Sequence, residues 1–515
     1  MRFAPIAIVG RACVLPGALS PEALWAAVRD GRDLISQVPA GRWRLAPEQA
    51  LCTPDAPLPD RAWSDRGGYV EGFDAIWQPH GFAVSAQELV GLDPLVHWLL
   101  HCARAARAET VTHGRTGAVF GHLGFPSEQM AAFADQVWCH RDDGVDARNR
   151  AMSGGAADLL ARALALDAGS HALDAACASS LYAIKLACDR LHEGSVDLML
   201  AGAVQRADDL FLHIGFSALN ALSRSGQSRP FHRDADGLIP AEGCAMLALK
   251  RLADARRDGD TIHGIVRGIG LSNDGRGRGL LVPDAGGQQR AIRAAYAAAG
   301  LAPSAVSLLE CHATGTPVGD ATELRSSSDV FSDIDGLPIG SLKSNLGHLI
   351  TVAGAAGVIK LIEAMRAGVR PPSLHAEPPT PALAETPFRV LQAAEPWSAQ
   401  SPRVAAISAF GFGGNNAHLI LSESDPSLDD GLPGVHSGQY AITALGVMAG
   451  SATDRAQFSA AFAARSSLRD HDGRGAITAI ELDLAGLRFP PRDLEQTLPQ
   501  QLAILQVARE ALCEA

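Results

Sequence analysis

The sequence predicts an α/β fold in which parallel sheets are covered by helices. Two patterns carry this expectation. Apolar runs of strand length alternate with helical stretches from Ile6 to Leu421, and several strands end in glycine-punctuated turns. Composition agrees, since 515 residues, 47% hydrophobic and with 52 glycines, suit a large, tightly packed α/β protein.

Ile6–Cys13 reads as a buried first strand. Gly10 stands alone there, so the Gly-x-Gly-x-x-Gly of a dinucleotide fold is missing. Pro21–Val28 follows as a helix, with Ser20 as cap and Pro21 at the first helical position. Residues 38–70 form a long loop. Leu89–Ala106 is helical, Thr116–Gly121 a strand and Ala156–Ala165 a helix. A short strand before Cys177, a helix after it and a strand over Val196–Val204 complete the first half. Phe231–Gly243 is an acidic loop without the ligand spacing of an EF-hand, and it leads into a strand over Cys244–Lys250. Gly275–Gly279 is a flexible loop. In the second half, Gln288–Ala299 and Thr351–Met365 are helices. Val306–Glu310, Pro338–Leu342, Val404–Ala409 and Ala417–Leu421 are strands.

Cys177 sits where the chain turns from strand to helix. Leu181, Ile184, Cys188 and Leu191 give that helix its apolar stripe. Free N–H groups at a helix start favour a thiolate, which makes Cys177 a candidate nucleophile. A lone buried cysteine is more often structural. However, His312 and His348 each end a strand and precede glycine-rich chain, at the sheet ends where open α/β folds gather their sites. One cysteine and two histidines so placed suit acyl transfer. Lys343 and Glu323 are candidates for an ion pair that fixes an imidazole. Gly411–Gly414 offers backbone N–H donors to an oxyanion. Adjacent Cys311 and His312 lack zinc-ligand spacing, so no metal is expected.

These residues fall in four motifs in order: Asp-Ala-Ala-Cys-Ala-Ser-Ser around Cys177, His-Ala-Thr-Gly-Thr-Pro-Val-Gly-Asp from His312, Lys-Ser-Asn-Leu-Gly-His ending at His348, and Gly-Phe-Gly-Gly-Asn-Asn-Ala-His from Gly411. Over Ile6–Ser422 the chain resembles a β-ketoacyl synthase, most closely those of bacterial polyunsaturated fatty acid and polyketide synthases. Asn415 departs from the usual Thr or Ser, which implies a local change in loop hydrogen bonding. The resemblance implies a thiolase-like fold of two similar halves in five αβαβα layers, with residues 1–250 and 251–422 as the halves. It implies that Cys177 takes an acyl chain as a thioester, and that His312 and His348 support decarboxylation of malonyl carrier protein. It assigns Lys343 and Glu323 to holding His312, the N–H groups of Cys177 and Phe412 to the oxyanion hole, Thr314 and Thr316 to the pantetheine arm, and the Phe412 ring to gating. No cofactor is bound by the domain itself, since phosphopantetheine arrives on an acyl carrier protein. The implied assembly is a homodimer or a pseudo-dimer with a chain-length-factor domain. A thiolase would need a second cysteine in Gly411–His418, which has none; a non-elongating domain would typically lose one of the three site residues.

Residues 423–438 read as an acidic Pro/Gly linker, and residues 439–515 as the truncated start of a second ketosynthase-like domain. Tyr440–Gly446 resembles the first strand, and Gly486–Ala508 echoes Gly81–Ala103 through Leu494, Pro499, Leu505 and Ala508. Net charge of −12 argues against nucleic-acid binding. No apolar run reaches the roughly 18 residues of a membrane span. Nine cysteines without framework spacing, and no signal-peptide layout, suit a reduced cytoplasmic protein.

Overall fold

The computed structural model describes residues 3–111, 114–124, 127–150, 153–206, 210–275, 279, 281–398, 402–430, 441–482 and 491–514. They fall into two compact units, Met1–Val435 and His436–Ala515. In the first, eleven strands form one sheet: β1 (Ile6–Val14), β2 (Thr116–Gly121), β3 (Ser170–Leu173), β4 (Leu198–Gln205), β5 (Gly243–Arg251), β6 (Gly264–Asn273), β7 (Leu308–Glu310), β8 (Leu337–Gly340), β9 (Phe388–Val390), β10 (Val404–Phe410) and β11 (Asn415–Ser422). Their spatial order is β9-β8-β7-β10-β11-β6-β1-β5-β4-β2-β3.

The order hides a duplication. Numbered from their own first strands, β1–β5 run 3-2-4-5-1. The strands β6, β7, β8, β10 and β11 run in that same order, with β9 added outside β8. The two halves meet through an antiparallel link of three residue pairs, Ile6–Val266, Ala7–Ile265 and Ile8–Gly264. Each half is mixed rather than purely parallel: its first three strands in spatial order pair parallel, and the others antiparallel. The four-residue connection from β10 to β11 can join only antiparallel neighbours.

Period-2 alternation sends one face of each sheet inward and the other outward. Ile6, Ile8, Met199, Ala201, Leu247 and Leu249 share a central cluster with helices α3 (Ser179–His192) and α6 (Ala353–Ala367). Ala7, Val9, Leu198, Leu200, Met246 and Ala248 face α2 (Pro94–Ala108). On the other side, α4 (Ala285–Ala299) covers β6 and β11. The result is five layers: α2, the β1–β5 half of the sheet, α3 with α6, the β6–β11 half of the sheet, α4. Each fully buried Leu or Ile contributes about 1.5–3 kcal/mol. In the central layer α3 and α6 touch at a glycine. A Cβ on Gly354 would lie 2.7 Å from Leu181 and 2.8 Å from Ser180 Oγ, and Ser180 Oγ accepts the Ala355 N–H at 3.0 Å.

Helix α1 (Pro21–Arg29) begins as expected, with Ser20 accepting the Ala23 N–H. The helix expected over Leu89–Ala106 is broken. A short turn ends at Leu89, and α2 starts at Pro94 because Asp93 caps Leu95 N–H and Gly91 takes a left-handed φ of 75°. The strand before Cys177 is not buried, since β3 is a sheet edge and half-exposed. The segment after Ser422 is held at first. Arg256 donates to the carbonyls of Asp425 (2.7 Å) and Leu428 (3.0 Å) and to the Asp430 carboxylate (2.9 Å). Residues 431–438 of the expected linker lie outside the described residues, as does part of the Gly275–Gly279 loop.

The second unit contains α7 (Arg455–Ala464) and α8 (Pro499–Glu514). Residues 441–446 form no strand. A strand needs a partner, and the described residues of this unit supply none. The segment still packs as β1 does. Gly10 abuts the Ala106 carbonyl of α2 while Arg11 N–H bonds Glu109 at 2.9 Å, and Gly446 abuts the Val507 carbonyl of α8 while Val447 N–H bonds Glu510 at 3.0 Å. Gly486–Phe489 of the expected echo lies outside the described residues. Ile442, Phe462, Ile504 and Leu512 are exposed.

Candidate active site

Cys177 lies in a one-turn 3₁₀ segment, Ala176–Ala178, that runs straight into α3. Small polar side chains build the turn. Asp174 Oδ1 accepts the Ala176 N–H at 2.8 Å, and Ser179 Oγ accepts the Ala175 N–H at 2.9 Å while donating to the Ala176 carbonyl at 2.6 Å. Ala176 carries a φ of 50°, a strained value for a residue with a Cβ. The β10–β11 turn closes over it. A Cβ on Gly411 would sit 2.7 Å from the Ala175 carbonyl and 3.1 Å from Cys177 N, so only glycine fits.

The thiol itself is buried, and burial pushes its pKa up to about 11. The Lys343 ammonium and the backbone N–H groups of Phe412 and Cys177 pull the other way, without winning. The expectation of a depressed thiol pKa is therefore corrected: desolvation outweighs the helix start. A proton acceptor stands ready, because His348 Nε2 is 3.1 Å from Cys177 Sγ.

His312 follows β7. Its N–H and that of Ala313 donate to the two oxygens of Glu323, each at 2.7 Å. Glu323 lies on α5 (Pro317–Ser328), as does Asp320, which accepts from Thr314, Gly315 and Phe231 N–H groups at 2.9–3.2 Å. Burial raises both carboxyls, Asp320 to about 6 and Glu323 to about 7. His348 is held by its main chain. Its N–H donates to the Ile239 carbonyl at 2.6 Å, and its carbonyl accepts from Ala241 at 2.9 Å. The acidic loop Phe231–Gly243 thus serves as a brace, with its Asp236 used on Ser223 and Ser225.

The imidazoles of His312 and His348 meet edge to face, with centroids 5.4 Å apart. Burial, then the Lys343 charge, holds both well below the ordinary histidine pKa, so both are neutral. The expected Lys343–Glu323 ion pair does not form among the described residues. Glu323 spends its oxygens on backbone N–H groups, and buried Lys343 feels Glu310 more strongly than Glu323.

The site opens into a cleft of about 330 Å³. Thr314 and Thr316 line it, their hydroxyls 3.0 Å apart. Phe412 stands at the mouth, 37% exposed, beside Phe216 at 6.3 Å between centroids. One ligand atom each from Cys177, His312 and His348 lies within 4.8 Å of the others. Among the described residues, neither buried Nδ1 atom finds the hydrogen-bond acceptor that usually orients a zinc histidine. The sequence reading missed Asp320, the Ile239–Ala241 brace and Glu310. Asp320 stood in a quoted motif but carried no assigned task.

Residues 4–255 match the family "Beta-ketoacyl synthase, N-terminal domain", residues 263–377 its C-terminal domain, and residues 377–452 the "Ketoacyl-synthetase C-terminal extension". The chain belongs to the β-ketoacyl synthase family. It is 35% identical to a mycocerosic acid synthase-like polyketide synthase of Mycolicibacterium smegmatis, over 94% of this chain and 23% of that one. It is 36% identical to the pikromycin polyketide synthase component PikAIII of Streptomyces venezuelae, over 83% of this chain and 28% of that one. The ketosynthase thus spans about a quarter of the length of these curated relatives. Among solved structures, the PfaC keto synthase–chain length factor superposes with a TM-score of 0.83 at 32% identity, covering 99% of this chain and 60% of that one. The ketosynthase domain OzmH KS7 of oxazolomycin assembly, from Streptomyces albus JA3453, gives 0.75 at 33%, covering 82% and 75%. Among the described residues, no helix of this ketosynthase is long and apolar enough to cross a membrane.

Proposed function

We propose that the chain catalyses decarboxylative Claisen condensation of a Cys177-bound acyl chain with malonyl carrier protein, in fatty-acid or polyketide assembly. The observation that carries this reading is the 3.1 Å approach of His348 Nε2 to a buried Cys177 Sγ whose flank is lined by the N–H groups of Cys177 and Phe412.

In the first half-reaction His348 accepts the thiol proton as sulfur attacks the acyl thioester. The two N–H groups hold the oxyanion, and the pantetheine sulfur leaves as a thiol with the proton that His348 returns to it. In the second, with neutral His348 now in its Nε2–H tautomer, His312 and His348 donate to the malonyl thioester oxygen as the carboxylate leaves as carbon dioxide. The enolate carbon attacks the Cys177 thioester, and the Cys177 sulfur departs as a thiolate that takes a proton from solvent and returns to the resting thiol. The product is a β-ketoacyl chain on the carrier protein. Neutral imidazoles can serve as donors, because each still carries one N–H to offer the developing enolate charge. Burial, helped by the Lys343 charge, keeps them neutral, and Glu323 with Asp320 holds the His312 loop.

Thr314 and Thr316, on one wall of the cleft, suit the pantetheine arm, and Phe412 suits a gate. No cofactor of its own is needed; phosphopantetheine comes with the carrier. The half-exposed edge strand β3 suits a homodimer, and the β1-like packing of residues 441–447 on α8 supports a chain-length-factor-like domain and the pseudo-dimer it would make. A linker at 423–438 would separate this domain from halves at 1–250 and 251–422. The cytoplasm is the compartment this chemistry fits. Incubation with acyl and malonyl carrier proteins, read by intact mass, tests the proposal: acyl mass on Cys177 followed by a β-ketoacyl carrier is expected, and malonyl decarboxylation without a condensed product would sink it.

A further inference from the structure

The two histidines come from different loops, yet both must face one oxygen. His312 follows β7, and His348 follows β8 and a short helical turn, Lys343–Leu346. One side chain spans the two loops. Glu310, the last residue of β7 and two before His312, is buried. Its Oε1 accepts the Leu342 N–H at 2.6 Å, at the start of the turn that carries Lys343 and leads to His348. That N–H belongs to a helix start and has no partner within the turn. Its Oε2 accepts the Lys360 ammonium at 2.6 Å, from the middle of α6. Both members of this ion pair are almost fully buried.

An isolated carboxylate in that position would be heavily penalised by desolvation. Lys360 compensates the charge and fixes the carboxylate's direction. A second tie runs alongside, since Ser341 Oγ donates to the Ala313 carbonyl at 2.8 Å. Ser373 Oγ in turn accepts the Ser341 N–H at 3.0 Å. Glu310, Leu342, Lys360, Ser341 and Ser373 do not line the cleft; of the residues in these ties, Ala313 does. We propose that Glu310, locked by Lys360, is a positioning residue that holds the His312 and His348 loops in register. It touches no substrate. Its effect falls on the step that needs both imidazoles on one atom, and leaves the acyl transfer to Cys177 largely intact, because Ile239 and Ala241 hold the His348 main chain independently. The proposal rests on the reading of His312 and His348 as decarboxylation residues.

Two double variants of the full chain separate geometry from charge. E310Q/K360M removes both charges but keeps an acceptor for Leu342 N–H. E310A/K360M removes the charges and the acceptor. Loading of Cys177 is read by intact mass, condensation by kcat and KM for malonyl carrier protein, and folding by thermal melt. E310Q/K360M is expected to condense within about threefold of wild type. E310A/K360M is expected to lose about tenfold or more in condensation kcat, with KM and loading within about twofold; a 1 Å misplacement of a reacting group can cost about a hundredfold. Equal behaviour of the two double variants, or loading that falls in step with condensation, overturns the proposal. If E310A/K360M does not fold, Ser341→Ala decides, since it cuts the second tie and leaves no buried charge unpaired. Selective loss of condensation supports the proposal, and equal or no loss refutes it. His312→Ala is measured beside them: if it condenses normally, the assigned chemistry fails rather than the positioning.

Discussion

His348 Nε2 lies 3.1 Å from Cys177 Sγ, in a pocket where the thiol titrates near 11 and the imidazole is held neutral. The resting pair is therefore a thiol hydrogen-bonded to a neutral base, unlike the thiolate–imidazolium pair of proteases whose thiol pKa is depressed. The proton moves only when an acyl group is present to draw it.

Cys177→Ala should abolish acyl loading, because no other thiol shares that turn with the N–H groups of Cys177 and Phe412. Intact mass after incubation with acyl carrier protein measures it. Acylation of the variant at the wild-type rate would remove Cys177 from its role.

The two histidines should separate. His348 touches sulfur, whereas among the rings of the described residues His312 approaches His348 and Phe410. His312→Ala should reduce condensation by about 10²–10⁴-fold and loading far less. His348→Ala should reduce both. Parallel losses in both variants would contradict the division.

Thiol reactivity should report the raised pKa. The folded-state value is above the usual thiol range, so the neutral form prevails at pH 7–9. Carbamidomethylation of Cys177 by iodoacetamide, followed by peptide mass, should rise about tenfold per pH unit from pH 7 to about 10. A plateau near pH 8 would show a thiolate already formed. Lys343→Met removes a charge that favours the thiolate and should slow the reaction at each pH.

Gly411→Ala should displace the Cys177 turn, since its Cβ would meet the Ala175 carbonyl at 2.7 Å. A destabilisation of about 1–3 kcal/mol is expected from such overpacking, with loss of loading beyond what the melt explains. A variant with unchanged melting and loading would show that the β10–β11 turn can retreat.

Limited proteolysis should cut after Asp430, because Arg256 pins residues 425–430. The released core should still be acylated at Cys177. Arg256→Ala should let new cuts appear between Ser424 and Asp430; unchanged fragments would mean that the pinning does not protect them.

The site was legible where chemistry leaves a residue type behind. Cys177, His312, His348, Thr314, Thr316 and Phe412 all line one cleft. The β10 and β11 strands were legible from apolar runs, and the α1 start from Ser20 and Pro21. What the sequence withheld were partners across long separations. Glu323 looked like a mate for Lys343 because opposite charges pair, but a buried carboxylate near two unsatisfied N–H groups takes those first. Glu310 and Lys360 are fifty residues apart in a strand end and a helix interior, and no periodicity links them. The depressed thiol pKa failed for a similar reason: helix position is local, whereas burial depends on everything packed above. The strand expected at Tyr440–Gly446 had the right composition but lacked a neighbour to pair with.

The glycine at the α3–α6 crossing has a consequence for how such an enzyme can diversify. Helix α3 begins beside the nucleophile, and α6 begins shortly after His348, so the gap between them sets the reach from sulfur to imidazole. That gap is gauged by a single hydrogen atom on Gly354, at a place no substrate visits. Phe216 and Phe412 line the cleft and take no part in that contact. The lining of the cleft and the spacing of the two helices are thus written in separate parts of the chain, and the first can drift while the second stays calibrated.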